Sequence, residues 1–307
     1  MKRSGILTVA SIIVLTMISV ADVSIAYDSS AGARSIGLGG ITAALKGADG
    51  IFGNPSGIGY MADPEFTSMY SDLTGDIRYT MLGGVFDSAI GRWSLGYSGS
   101  RTEDMYVTEI NSDTGVVGAT TPFSYATDDI FLGYAKRLSR ELVIGARVKY
   151  FLKGTELQGT SGRGVNADVG LMYSMADNID VGVVVYNVMP GHAGAMRWEG
   201  GTEDDIPLSV SAGGRYGIGK LDIYGETLLR RGLPTEYKAG LEYMLVDNLC
   251  LRAGIDRKSF AANEAYSNYT AGVGYCLSGI RFDYAYYIDT MVSYNSQHFV
   301  SMGLSIK

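Results

Sequence analysis

The chain has 307 residues, 42 of them glycine, 22 tyrosine and only six proline, with 32 acidic against 25 basic side chains and a formal charge of -7. An acidic balance is a poor match to nucleic-acid binding, which needs a basic face, and the glycine and tyrosine content points to an all-β protein with tight turns rather than a helical one. Two cysteines and two histidines offer little for a metal centre, so neither a metal nor a cofactor is expected.

Residues 1–26 read as a cleaved secretory signal peptide. Lys2 and Arg3 precede an apolar run from Ile6 to Val20, shorter than the roughly 20 residues a spanning helix needs. Small residues follow that suit cleavage after Ala26 or Ala21. Losing Lys2, Arg3 and Asp22 leaves the exported chain one unit more negative.

Residues 27–62 are too apolar for a linker and too rich in glycine for one amphipathic helix. They are expected to fold as a hatch, or plug, in the mouth of a barrel. Ile36, Leu38, Ile41, Leu45, Ile51 and Phe52 give this segment apolar patches, suited either to packing on a wall or to holding a greasy ligand. The run Gly37-Leu38-Gly39-Gly40 is not a nucleotide loop. Thr42 stands where a dinucleotide fingerprint has its third glycine, and no Lys-Ser or Lys-Thr pair follows.

Residues 63–307 alternate apolar and polar side chains with period two, interrupted by turn residues, which predicts β-hairpins. Strands are expected near 65–73, 77–86, 92–101, 129–138, 142–155, 163–175, 179–188, 207–217, 221–230, 235–245, 249–256, 269–277, 280–288 and 297–306. Connections alternate between short turns, such as Ser139-Arg140-Glu141 and Ala176-Asp177-Asn178, and long loops at 102–128, 189–206 and 257–268. An even strand number with short turns at one end describes an outer-membrane transmembrane antiparallel β-barrel of about 14 strands, short turns in the periplasm. A soluble β-sandwich would also alternate, but it would not set charges on one face and an apolar surface on the other over so many strands.

Tyr173, Tyr216, Tyr243 and Tyr275 each lie three residues before a short turn, with Tyr134 near another, as an interfacial girdle requires. Gly170, Gly213, Gly240 and Gly272 precede those four tyrosines by three residues, which places them on the inner wall. Barrel curvature and packing against a plug are both open for them.

Taking Val246 to Asn248 as a three-residue loop sets Leu245 opposite Leu249 and creates two lumenal ion pairs, Glu242 with Arg252 and Lys238 with Asp256. A cation facing lipid costs about 2 to 4 kcal/mol at the bilayer midplane, so these charges belong inside. Both cysteines fall on the lumenal face. If Asp256 opposes Thr270, Cys250 opposes Cys276, leaving a disulfide or two buried free thiols as readings. His298 with a nearby serine would make a hydrolase site only with an orienting third group converging on it; a lone interface or rim histidine is the reading taken, and no catalytic residue is expected. Glu203-Asp204-Asp205 lacks the spaced ligands of a calcium site.

The segment Gly32-Ala33-Arg34-Ser35-Ile36-Gly37-Leu38-Gly39-Gly40, then Ala43-Ala44-Leu45, then Asn54-Pro55-Ser56-Gly57-Ile58, resembles the N-terminal pattern of PorV/PorQ-type proteins in the FadL-like superfamily of long-chain fatty-acid transporters. The match covers about thirty residues; elsewhere the likeness is one of architecture. The acidic pair of that pattern is reduced to Lys46-Gly47-Ala48-Asp49, Gly53 replaces an aromatic, and Ser56 replaces an alanine. The resemblance implies a hatch with Arg34, Gly37, Gly39, Gly40, Phe52, Asn54, Pro55 and Gly57 as its gating or ligand residues. It also implies passive diffusion of hydrophobic small molecules across the outer membrane, with outer-membrane lipids and a hydrophobic ligand as partners. The alternative it implies is a PorV-like accessory role in type IX secretion, with secreted proteins or secretion subunits as partners.

Overall fold

The computed structural model describes residues 32–73, 77–110, 117–157, 160–231, 234–259, 265–290 and 296–306. The expected signal peptide, its cleavage site and the start of the expected hatch lie outside the described residues. Among the described residues sixteen strands occur in chain order: β1 (Glu65–Leu73), β2 (Ile77–Ser88), β3 (Gly91–Ile110), β4 (Val117–Arg137), β5 (Leu142–Thr155), β6 (Gly162–Ala176), β7 (Ile179–Tyr186), β8 (Met196–Trp198), β9 (Glu203–Asp204), β10 (Ser209–Ile218), β11 (Leu221–Arg230), β12 (Thr235–Val246), β13 (Leu249–Ser259), β14 (Ala265–Leu277), β15 (Ile280–Ile288) and β16 (Gln297–Ser305).

Fourteen of these strands form the wall, each pairing antiparallel with its neighbours, while β8 and β9 extend from the upper part of β6. The cylinder closes where β1 meets β16, with Glu65 opposite Ser305 and Asp72 opposite His298. Closure leaves the cylinder itself without a free edge, the arrangement that satisfies backbone groups without water.

The two faces of the wall reverse the usual order of a soluble protein. On β5, Arg147, Lys149 and Phe151 are buried inside, whereas Ile144, Val148, Tyr150 and Leu152 are exposed outside. The outer face is greasy over its whole circumference, and this excludes the sandwich. Tyr173, Tyr216, Tyr243 and Tyr275 are exposed on it near the short turns. Trp93 joins Tyr134 there, their rings 4.8 Å apart. Higher on the wall Tyr70, Tyr150, Tyr237, Tyr269 and Tyr284 are also exposed, a second row of rings with a polar tip above an apolar body.

The expected loops 189–206 and 257–268 carry strand as well, β8 and β9 in the first and the ends of β13 and β14 in the second, and three further expectations need correction. The expected loop 102–128 is mostly strand: β3 and β4 continue as a hairpin to Ile110 and Val117, with irregularities between Thr102 and Met105 and between Tyr106 and Thr108. Glu103, Asp104 and Thr108 deny this part an apolar face, so only the ladder itself reveals it; Asp104 takes a left-handed φ of 57° at the irregularity, a conformation aspartate tolerates.

The turn after β12 is tighter than a three-residue loop, because Val246 opposes Leu249 and the irregularity between Met244 and Val246 absorbs Leu245. Past that irregularity the ladder still sets Glu242 opposite Arg252 and Lys238 opposite Asp256.

The third correction concerns the cysteines. Asp256 opposes Asn268, not Thr270, so Cys250 faces Gly274 while Cys276 faces Arg281. A two-residue offset separates the α-carbons by roughly 7 Å along the strand alone, beyond disulfide reach when the gap between strands is added. Both thiols are free; Cys250 is buried and Cys276 is exposed at the rim. One maleimide is expected to add to the folded barrel, at Cys276, and two to the denatured chain. Two additions in the folded state, counted by mass, would contradict the placement of Cys250.

Candidate functional site: the plugged lumen

Residues 32–62 run from one side of the lumen to the other. A five-residue helix, α1 (Ala33–Gly37), is followed by 3-10 turns at Ala48–Ile51 and Pro55–Tyr60. The segment passes between them through backbone that touches the wall, and Ala33, Leu38, Ile41, Ala43, Ala48 and Ile58 are wholly shielded from solvent.

Glycine on the inner wall makes the fit. A β-carbon at Gly182 would sit 1.9 Å from the Ala43 carbonyl oxygen, at Gly254 2.2 Å from the Gly39 nitrogen, at Gly145 2.5 Å from the backbone between Pro55 and Ser56, and at Gly240 2.6 Å from the Leu38 oxygen. Gly170 would strike the Asn54 amide, Gly83 and Gly96 would strike Ile51, and Gly272 lies against the Gly37 α-carbon. Eight strands thus give up a side chain where the plug passes. Of the two readings open from the sequence, plug packing accounts for Gly170 and Gly240, while Gly272 meets the Tyr284 carbonyl of its neighbour strand at 3.0 Å before the Gly37 α-carbon at 3.3 Å. Gly213 is crowded first by its own neighbour strand, at the Gly225 oxygen, with Ala43 only in ordinary contact at 3.4 Å.

The plug's own glycines answer the same crowding. Gly39 and Gly40 take φ of 76° and 79°, open to glycine without steric cost, and a β-carbon on Gly39 would meet the Ile255 oxygen at 2.6 Å. Thr270 bridges this turn, accepting from the Gly39 N–H at 3.0 Å and donating to the Gly37 carbonyl at 3.1 Å. Gly57 abuts the Leu45 carbonyl within the plug itself.

Arg34 leaves α1 toward the wall. Its Nε and Nη2 donate to Glu242 at 3.3 and 3.2 Å, and its Nη1 to the Lys46 carbonyl at 3.0 Å. Burial works against its charge, but Glu242, with help from Asp49, holds its pKa well above the ordinary arginine value. Glu242 also accepts from Arg252 Nε at 2.5 Å, and Arg252 Nη1 donates to Asp283 at 2.7 Å. Arg281 then joins Asp283 to Glu65 on β1, each contact 3.0 Å. One chain of alternating charge therefore ties the plug to β12, β13, β15 and β1. Lys238 is the register partner of Asp256, yet its ammonium donates to the Gly40 carbonyl at 2.9 Å and lies 3.7 Å from Glu226. Both of these wall cations face the plug.

Asn54 is the hub of the far side. Its Nδ2 donates to the Ala43 carbonyl at 2.7 Å and to Leu171 of the wall at 3.2 Å, while its Oδ1 accepts from the Ser56 N–H and hydroxyl at 3.1 and 2.7 Å. Pro55 follows at the first position of its 3-10 turn, where a missing N–H costs nothing. Phe52 meets Phe131 edge-on at 5.5 Å in a cluster with Ile51, Ile58, Met81, Val85 and Val143. Asn54→Ala is expected to leave buried backbone groups unpaired at a cost of about 2 to 3 kcal/mol, raising the open population of the plug by about tenfold or more. Trypsin cleavage at Arg34 and Lys46 in the folded barrel measures this; unchanged protection would mean Asn54 does not hold the plug.

Several plug contacts lie on wall residues the sequence reading did not single out. Glu226 accepts the Thr42 and Ala43 N–H groups at 2.6 and 2.7 Å, Asp180 receives Lys46 at 2.6 Å, and Arg147 donates to the Ile51 carbonyl at 2.6 Å while paired with Asp168. All sit at inward positions of their strands, so the rule that assigns charges to the lumen would have found them had it been applied to every strand. Neither histidine enters this site. His298 lies on the outer face, sharing a hydrogen bond with the Tyr284 hydroxyl at 2.7 Å, and His192 pairs with Glu203 in the loop between β7 and β10.

The fold of the described residues is shared with solved structures of hydrocarbon transporters and channels. The Pseudomonas putida toluene transporter TodX superposes with a TM-score of 0.64 at 14% identity, covering 91% of this chain and 97% of that one. The Ralstonia pickettii toluene transporter TbuX gives 0.65 at 14% identity over 91% and 99%, and a Pseudomonas aeruginosa FadL homologue 0.60 at 12% identity over 94% and 100%. No family model and no curated protein matches the chain.

Proposed function

We propose that this protein is a passive, non-enzymatic outer-membrane transporter for small hydrophobic molecules, FadL-like in plan, and that residues 32–62 are its hatch. The observation that carries the reading is a lumen filled by a separate segment inside a wall that is apolar outside and charged inside. A wall of that kind belongs in a bacterial outer membrane, and a plug anchored by side chains and glycine contacts, not by sheet pairing, is an element that moves without breaking the cylinder. The similar structures, two toluene transporters and a monoaromatic hydrocarbon channel, support a hydrophobic substrate. No specific observation favours a secretion-accessory role.

Cells bearing the protein in the outer membrane are expected to take up labelled toluene faster than cells without it. In proteoliposomes the intact protein is expected to exclude sugars, and a variant lacking residues 32–62 to admit them, read by liposome swelling. Toluene uptake equal to that of cells without a correctly folded, membrane-inserted barrel would overturn the transport reading.

A further inference from the structure

Near the long-loop end the outer wall carries a cleft of about 300 Å³ between β3, β4 and β5, lined by Arg101, Ser124, Asp128, Leu152, Gly154 and Glu156 among others. The ladder puts Arg101 opposite Ala126 and Ala126 opposite Gly154, on the same face as exposed Leu152 and Ile130. The cleft therefore opens outward, at the upper border of the greasy band, and not into the lumen.

Its carboxylates are engaged by fixed donors. Asp128 accepts the Tyr97 hydroxyl at 2.6 Å, and Glu156 accepts both the N–H and the hydroxyl of Ser124. Arg101 approaches Asp128 only at 3.6 Å, with its side chain 55% exposed. Directly across the ladder from Arg101 stands Arg78, itself 60% exposed and paired with an exposed Glu103. A third cation, Arg163, opposes Leu152 at the other edge of the cleft and is exposed. Like charges opposite one another destabilise a sheet, and an anion between them reverses the sign of that term. Guanidinium groups fit phosphate through paired N–H donors.

We infer that this cleft and the facing Arg78–Arg101 pair bind a membrane lipid with an anionic phosphodiester headgroup. The phosphate lies on the two guanidinium groups, and the acyl chains run down the wall over Leu152, Tyr150 and Ile130. A free phosphate would use the cations and leave the apolar lower wall empty; a lipid uses both. This inference rests on the outer-membrane reading given above.

The test is native mass spectrometry of the full folded chain in detergent, offered equal amounts of dioleoyl phosphatidylglycerol and dioleoyl phosphatidylcholine. Each arginine near an anionic membrane surface adds to its attraction for anionic lipid, so the anionic lipid is expected to be retained about tenfold or more over the zwitterionic one. The Arg78→Gln/Arg101→Gln pair is expected to bring the ratio close to one. Arg257→Gln, an exposed outer-wall position on β13, is expected to leave it unchanged. Heat-modifiable gel mobility establishes that each variant is folded. Equal retention by the native chain, a preference that survives the double substitution, or displacement of the lipid by millimolar inorganic phosphate would overturn the inference. Failure of the barrel to insert into liposomes would overturn the outer-membrane reading along with it, whereas insertion with equal retention would sink this inference alone.

Discussion

Gly182→Val is expected to drive the plug out of its seat while leaving the barrel wall intact. The β-carbon would fall 1.9 Å from the Ala43 carbonyl oxygen, an obstacle made of backbone that no rotamer change can relieve. Overpacking of this kind typically costs about 1 to 3 kcal/mol and occasionally more. The cost falls on Ala43, whose N–H is held by Glu226, and not on the ladder of β7 with β6 and β10, which needs no side chain at position 182. Sugar permeation in a swelling assay and trypsin cleavage at Arg34 should both rise, with heat-modifiable mobility unchanged. Gly225→Val is the control: nothing lies within 4 Å of a β-carbon there, and valine suits a strand. If the valine at 182 leaves permeation and protection as they were, the plug does not pass where the structure places it.

Glu242→Lys acts on the opposite side with a larger effect on the wall itself. The native carboxylate stands between the Arg34 and Arg252 guanidinium groups; the substitution sets three cations together with Asp283 the nearest remaining acid in the chain of contacts. Breaking one partner out of a buried pair costs about 3 to 5 kcal/mol, and the added charge works in the same direction. The denaturant midpoint for loss of heat-modifiable mobility should fall markedly. Glu242→Gln, which keeps the shape and removes the repulsion, should fall less. Equal midpoints for native and Lys variants would show that the ion network contributes little to holding wall and plug together.

Much of the wall was legible because period-two alternation and turn residues are local signals. Strands such as 142–155, 221–230 and 280–288 were expected within the bounds they occupy. The hairpin above Thr102 was not, since beyond the greasy band the outer face no longer needs apolar residues and the alternation fades while the hydrogen bonds continue. Register was legible where charge tested it, at Glu242 and Arg252, and illegible at the cysteines, where only an arbitrary choice for the loop between β13 and β14 connected the strands. The plug posed a different difficulty. Its glycines mark close approach but carry no information about the partner, so Gly39 against Ile255 and Gly182 against Ala43 emerge only from three dimensions. Even so, the inward glycines and inward charges of the wall form one pattern: small residues where backbone passes, ions where plug carbonyls, N–H groups and charged side chains end.

The seam between β1 and β16 has a consequence for assembly. It joins the two wall strands farthest apart in sequence, so its loop-closure entropy is the largest of any pairing in the cylinder, and it is the contact expected to form last. The plug leads directly into β1, and the seam is sealed beside that junction by the Ile306 N–H on the Pro64 carbonyl at 2.9 Å. A segment that must reach glycine seats on eight strands enters an open, curling sheet far more readily than a finished tube. The wall is therefore expected to close around its occupant, with the order of events during folding, not a later docking step, filling the lumen.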